Sequence, residues 1–404
     1  MTFAQAQARV LESAPKLSTE RVMLYAAVDR VLAETIVSTV NLPGFDYSAM
    51  DGYALAAADL ESTPTRALPI TCQIAAGATE QVALSAASCA RIFTGAPIPK
   101  GADCVEMQER VTVQQGDAVD LAVFSQPVVP GQHIRRAGED LSIGSVALAS
   151  QTRLRPEHLA LLTALGRVRV SVTRRPVVTI LSTGDELREP EDTLRPGSVI
   201  ECISPTIAAL ATQCGATVRI ANIVRDEQAL IERALAQAVQ ESDLVITVGG
   251  VSVGDHDLVR PALEKAGVTL DFWRVAIKPG KPVALGHCGP HRWLGLPGNP
   301  ASAVLTFMLF GAPLLRAMPQ DAKPLAARVR APLAKSVRHA TGRLEFLRAN
   351  LQETSDMCSV EVLAGQASGS VVSLAHANAL VLLDAELEQL AAGSLVEVIR
   401  MRDI

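Results

Sequence analysis

The sequence has 404 residues and a mass of 42.6 kDa, which at roughly 150 residues per domain allows for two or three domains, each with its own core. Hydrophobic residues are 49% and charged residues 20% of the chain, which excludes a disordered protein. The formal net charge is −5 and no run of Lys or Arg exceeds two, so nucleic acid is disfavoured as the main partner and any anion site has to be a local cluster. With only 8 Phe, 3 Tyr and 2 Trp, the cores must be built from Ala, Val, Leu and Ile.

In chain order, residues 1–36 carry helical spacing. Ala4, Ala8 and Leu11 begin it, and Ser18–Leu32 repeats it with Ser18 or Thr19 as N-cap. From 37 to 150, short Val/Ile/Leu runs are broken by Gly and Pro, a cadence that predicts a small β-rich or barrel-like module. A short helix, Pro156–Leu165, ends at Gly166 and is followed by the β-run RVRVSV. From 176 to 320, apolar runs alternate with helical segments: PVVTILS, Pro205–Gln213, ATVRIANIV, Glu227–Gln240, DLVITVGG, Leu258–Ala266, WRVAI, PVALG and a helix over Ala301–Leu315. That grammar predicts a doubly wound α/β domain whose parallel sheet is covered on both faces. Residues 323–404 return to short strands and predict a second small β domain.

The start of the chain lacks the basic and apolar regions of a signal peptide. Ala301–Leu315 falls short of the ~20 residues of a membrane span and reads as a buried helix. The seven cysteines are scattered and show no C-x-x-C, a pattern of reduced thiols rather than disulfides or zinc. A cytoplasmic protein is expected.

Ligands of open α/β sheets bind beyond the carboxyl ends of the strands. The polar residues of 176–320 gather there: Ser182–Glu186, Arg225-Asp226, Gly249–Asp257, Lys278–Pro282 and Leu296–Pro300. GGVSVG lets backbone amides approach an anion, but it is neither G-x-G-x-x-G nor a Walker A, and alone it is a tight turn. The helix start at Ala301, with Ser302, offers further N–H groups and a hydroxyl. Lys278 and Lys281 alone read as a solvated turn, but on one rim with GGVSVG and PGNP they point to an oxyanion or phosphate site. Glu186, Asp226 and Asp257 would repel a phosphate unless a hard cation intervenes, which suggests Mg²⁺-assisted chemistry on a phosphate ester. Asp226 also reads as a simple N-cap for the helix at Glu227. LPGFDYSAMDGY, RIFTGAP and IRRAGED stand out elsewhere; their residues alone read as a hairpin turn, a plain turn and a surface ion cluster.

Taken together, PGFDYSAMDGYA (43–54), RIFTGAPIP (91–99), IRRAGEDL (134–141), LSTGDEL (181–187), GGVSVGDHD (249–257), AIKPGKP (276–282), GLPGNPASA (295–303) and GRLEFLR (342–348) resemble the molybdopterin molybdenumtransferases, the MoeA-type family that includes the gephyrin E domain. Weaker likeness continues through 365–380, while Tyr47, Val248 and His256 depart from the usual residues. The resemblance implies a multidomain α/β plus β protein. Its parts would be an elongated helical N-terminal region (1–47 with 141–175), an inserted β module (48–140), a doubly wound molybdopterin-binding domain (176–322) and a C-terminal small β-barrel (323–404). It implies insertion of molybdate into adenylylated molybdopterin with release of AMP, a requirement for Mg²⁺, and a homodimer whose cleft is completed by the partner's inserted module.

Carried over, Asp51, Asp140, Glu186, Asp226 and Asp257 would be the catalytic acids, with Glu186, Asp226 and Asp257 holding metal. Thr94 and Arg135 would orient substrate, and Gly249, Gly250, Ser252, Gly254, Pro297, Asn299 and Pro300 would line its site. Lys278, Lys281, Pro282 and Ser302 would form the molybdate pocket, aided by Arg343 or Arg348 and by Ser368 or Ser373. Transient contacts with a molybdopterin adenylyltransferase and with apo molybdoenzymes or their chaperones would follow; nucleic acid and membrane would not. Two other readings compete. A molybdopterin adenylyltransferase shares the 176–320 domain type but would not need the flanks. A molybdopterin-binding scaffold without turnover would not need so many acids.

Overall fold

The computed structural model describes residues 1–60, 66–79, 82–250, 258–354 and 358–404. These form two compact units: residues 1–34, 150–155 and 169–404 make one, and residues 35–149 with 156–168 the other.

The larger unit opens with the helix Phe3–Ser13, started by a capping box in which Thr2 accepts from the Gln5 amide and Gln5 reaches back to the Thr2 amide. The helix expected over Ser18–Leu32 is absent. Thr19–Met23 is instead a strand, antiparallel to Arg169–Thr173, followed by the short 3₁₀ turn Leu24–Ala26. The RVRVSV run supplied a β partner, and pairing overrode helical spacing.

Six strands build the central sheet, in the order Thr217–Ile220, Val177–Ser182, Leu244–Val248, His291–Leu296, Ala284–Cys288, Thr269–Trp273. The first four are parallel to one another. Ala284–Cys288 runs antiparallel to both of its neighbours, a departure from the parallel sheet expected. The reason is local: Gly289, at φ +57, closes a hairpin that leaves no room for a crossover helix. Alternate residues of the buried strands serve opposite faces. Val178, Ile180, Leu244, Ile246, Leu294 and Leu296 join one core. Leu181, Val245 and Trp293 join the other, with the Trp293 indole N–H donating to Thr247 Oγ1 at 3.2 Å.

The apolar segment Pro300–Ala317 is long enough to span a membrane but is mostly buried within the protein. It is not one regular helix: a five-residue π segment, Phe307–Gly311, separates Pro300–Thr306 from Ala312–Ala317. Chain 328–404 folds on another sheet, ordered Ile277–Lys278, Leu344–Glu353, Ala379–Leu383, Leu395–Arg400, Arg328–Pro332, with Cys358–Val362 paired to the long strand. A short helix, Val371–His376, interrupts what the sequence presents as strands only.

The smaller unit is β-rich, as its cadence predicts. Its six-stranded sheet runs Cys104–Met107, Gly52–Leu55, Cys89–Ile92, Arg66–Ile74, Leu121–Phe124, Val111–Gln114. Asp51-Gly52 is not the hairpin turn that the dipeptide alone suggests. Gly52 begins a strand paired on both sides, and a Cβ there would lie 2.0 Å from the Glu106 carbonyl oxygen. All seven cysteines are free; burial pushes the Cys89 and Cys104 thiols up to about 12.

Candidate active site

In the larger unit, the strand-end loops are laced together by backbone hydrogen bonds. Thr183 N–H donates to Val248 at 3.4 Å, Gly184 N–H to Val224 at 3.2 Å, and Gly249 N–H to Leu296 at 3.1 Å. These bonds carry the ends of three parallel strands into one rim, the position where open α/β sheets bind ligands. Gly298 comes so close to Gly249 that a Cβ on it would sit 3.7 Å from the Gly249 Cα. Pro297 is buried there, while Asn299 is exposed.

Glu186 and Asp226 are both exposed on this rim. Asp226 is not the N-cap of the following helix: that helix is Gln228–Glu241, and its N-cap, Glu227, makes no side-chain cap. Asp226 instead exchanges contacts with Asp185. The Asp185 amide donates to Asp226 Oδ2 at 3.4 Å, and the Asp226 amide to Asp185 Oδ1 at 3.3 Å. Gly184 allows the Glu186 carboxylate to fold back beside its Cα, for a Cβ would meet Glu186 Oε2 at 2.6 Å. Ser252, Gly254, Asp257 and the rest of 251–257 lie outside the described residues.

The helix Pro300–Thr306 begins where the rim ends. Its first amides are not free, contrary to expectation. Asn299, the N-cap, makes no side-chain cap; the Ala301 and Ser302 amides donate to the Ser368 carbonyl at 3.0 and 3.3 Å. Pro300, at the first position, has no N–H to satisfy. The C-terminal segment thus caps this helix with its backbone.

The 365–370 loop is held from beneath by Arg348. This guanidinium is fully buried, and its Nη2 donates to the Gly365 and Ala367 carbonyls at 3.2 and 3.0 Å. Burial lowers its pKa from the usual arginine range. Among the described residues its Nε and Nη1 make no hydrogen bond. Arg343, by contrast, is exposed. Ser373 is buried in the first turn of Val371–His376 and donates to Ser370 Oγ at 2.9 Å, inside the cap of its own helix.

The lysine turn packs on the same helix. A Cβ on Gly280 would lie 2.2 Å from Thr306 Cγ2 and 3.7 Å from the Ser302 carbonyl oxygen. Lys281 is exposed, Pro282 half-buried. Lys278 is half-exposed, with Nζ 2.9 Å from Glu345 Oε1. Glu345 lies within GRLEFLR, where the sequence alone marks no role for it. Its signal was register: Lys278 pairs with Glu345 across the strands.

The smaller unit gathers the remaining expected residues. The Asp51 carboxylate accepts from the Thr94 amide and the Thr94 hydroxyl, both at 2.8 Å. Those two bonds, the amide first, hold its pKa below the ordinary range. Arg135 pairs with Asp140 at 2.5 Å and with Glu139 at 3.2 Å. Ile134–Arg135 pairs with Tyr47–Ser48, and Gly95 N–H donates to Ser48, so Thr94, Asp51 and Arg135 surround one short strand. Among the described residues no group of three or more His, Cys, Asp or Glu is placed to hold a metal by itself.

Residues 1–166 match the MoeA N-terminal region (domain I and II), 179–317 a probable molybdopterin binding domain, and 330–401 the MoeA C-terminal region (domain IV). The chain is 37% identical to the molybdopterin molybdenumtransferase of Haemophilus influenzae, covering 98% of each chain. It is 32% identical to that of Bacillus subtilis, over 99% of this chain and 94% of the relative. A crystal structure of a molybdopterin biosynthesis MoeA protein from Pyrococcus horikoshii superposes with a TM-score of 0.86 at 30% identity, covering 99% of each chain. With relatives matched from end to end, and with the rim, lysine turn and helix cap all present, the chain belongs to the MoeA-type molybdopterin molybdenumtransferase family.

Proposed function

We propose that the chain inserts molybdenum into adenylylated molybdopterin and releases AMP. The observation that supports this most is the convergence on helix Pro300–Thr306. The strand-end rim leads into its first residue, the 365–370 loop caps its first amides, and the Lys278–Lys281 turn packs along it against Ser302 and Thr306. Molybdate is a compact dianion, and ammonium groups beside a hydroxyl donor suit it. In this reading Lys278, Lys281 and Ser302 hold the oxyanion, and Arg348 acts on it through the loop it fixes. Glu186, Asp226 and Asp257 hold the pyrophosphate end and position the attacking oxygen, and Asp51 and Asp140 serve the same reaction from the inserted module, which in this reading completes the cleft of the partner subunit. Thr94 and Arg135 orient Asp51 and Asp140 for that task.

The donor set at Glu186 and Asp226 is all oxygen, which suits Mg²⁺ held by one or two carboxylates and completed by substrate phosphates and water. Bound there, the ion would neutralise the phosphate charge that the acids otherwise repel. The four-part division given above, with its C-terminal barrel, belongs to the same proposal, as do a cytoplasmic homodimer and transient contacts with enzymes that supply the pterin or receive product.

The test supplies the purified full chain with adenylylated molybdopterin, Mg²⁺ and molybdate, and follows AMP release and reconstitution of an apo molybdoenzyme. Molybdate-dependent turnover is expected. Consumption of ATP to make the adenylylated pterin, or pterin binding with no product, would overturn the assignment.

A further inference from the structure

Glu345 is an expensive residue in its position. Its side chain is only 5% exposed, on a strand paired on one side with the edge strand Ile277–Lys278 and on the other with Ala379–Leu383. One oxygen pairs with Lys278. The other lies 3.2 Å from Nδ1 of His339, whose side chain is 2% exposed, but the two are out of line for a hydrogen bond. Among the described residues, that oxygen and both His339 ring nitrogens make none. A buried carboxylate with an unsatisfied oxygen costs stability, and an apolar side chain of similar size would serve packing better. Phe346 and Leu347, the next two residues, show that the strand can carry such groups.

The pair is polarised. Glu345 is buried while Lys278 is 43% exposed, so one end is anchored and the other is presented. A free lysine samples many rotamers, whereas a stem tethered at its ammonium samples few. An ammonium has three donors. With one directed at Glu345, two remain for a tetrahedral oxyanion, in fixed directions. We propose that Glu345 is the positioning residue for Lys278, holding the ammonium where the dianion binds, with His339 closing the inner side of the carboxylate. This rests on the reading of the lysine turn as the oxyanion site.

The experiment is a double-mutant cycle on the full chain with Glu345→Gln, Lys278→Met and both together. Three quantities are read: the molybdate concentration at half-maximal rate, the corresponding value for the pterin substrate, and direct binding of molybdate by equilibrium dialysis. Glu345→Gln should raise the molybdate value about tenfold and weaken dialysis binding in step, while the pterin value stays constant. In the Lys278→Met background it should add almost nothing. Glu345→Asp, which keeps the charge with a shorter reach, should recover part of the loss, and it carries the test should the Gln variant fold poorly. Tighter molybdate binding in Glu345→Gln would show a repelling charge rather than a positioning one. Additive effects, or equal losses for both substrates, would likewise overturn the proposal. A wild-type chain that binds no molybdate would overturn the oxyanion reading and this proposal together; normal wild-type binding with an unchanged variant would overturn this proposal alone.

Discussion

Gly280→Ala tests whether the lysine turn is seated on its helix as described. Gly280 has φ +100, and the added methyl would lie 2.2 Å from Thr306 Cγ2. Thr306 has nowhere to go: it is fully buried, and its hydroxyl donates to the Ser302 carbonyl at 2.7 Å and the Ala303 carbonyl at 3.1 Å. A left-handed conformation costs a non-glycine residue about 1–2 kcal/mol, and overpacking a tight site adds about 1–3 kcal/mol. The expected loss is therefore about 2–5 kcal/mol, unless the turn lifts and carries both lysines with it. Gly289→Ala is the control, for it has φ +57 with nothing within 4 Å of its Cβ, so only the backbone cost of about 1–2 kcal/mol applies. Urea unfolding followed by tryptophan fluorescence reports on the right unit, because both tryptophans, Trp273 and Trp293, lie in the central sheet. Gly280→Ala should unfold at distinctly lower urea than Gly289→Ala, with a raised molybdate requirement. Equal midpoints and unchanged kinetics would refute the packing argument.

Thr94→Val removes one of the two bonds that depress Asp51. The Asp51 carboxyl should titrate closer to the ordinary range by NMR, and an unmoved titration would show that the hydroxyl is irrelevant. Asp243 accepts from Arg174 in two bonds of 2.6 Å and from the Val177 amide at 2.8 Å. Burial pushes its pKa up, but these bonds outweigh burial and hold it below 3.8. Asp243→Ala should cost about 3 kcal/mol at neutral pH. A depressed carboxylate stabilises fully above its unfolded pKa and loses this as pH falls through the folded value, so the gap to wild type should narrow as pH falls below the ordinary carboxylate range. A gap constant down to acid-induced unfolding would contradict this. Arg348→Lys removes the guanidinium Nη2 that holds the Gly365 and Ala367 carbonyls. Hydrogen exchange at the Ala301 and Ser302 amides, which donate to Ser368, should accelerate; unchanged protection would separate the loop from the helix cap.

The alternation of apolar runs and helices in 176–320 was legible because buried parallel strands need continuous Val, Ile and Leu. The strand-end gathering followed from it, and the bonds linking residues 183–184, 249 and 296 agree with that expectation. Thr19–Met23 was not legible as a strand, since its partner lies some 150 residues away. The hairpin at Gly289 hid inside apolar runs that suit parallel and antiparallel strands alike. The cap on helix Pro300–Thr306 was equally hidden: a backbone carbonyl leaves no mark in a sequence, so donors that look free can be occupied. Glu345 was not legible because a single acid in a strand carries no signal of its own, and only the register with Lys278 reveals its partner.

The Ser368 carbonyl has a consequence for synthesis of the chain. The helix it covers is complete by residue 306, but its leading amides acquire their acceptor only after more than sixty further residues have been made. During translation these leading amides therefore stay without that acceptor until residue 368 has been made. Shortening the chain to before residue 368 should remove this cap together with Leu380, Leu382 and Ile399, which share the core of the central sheet.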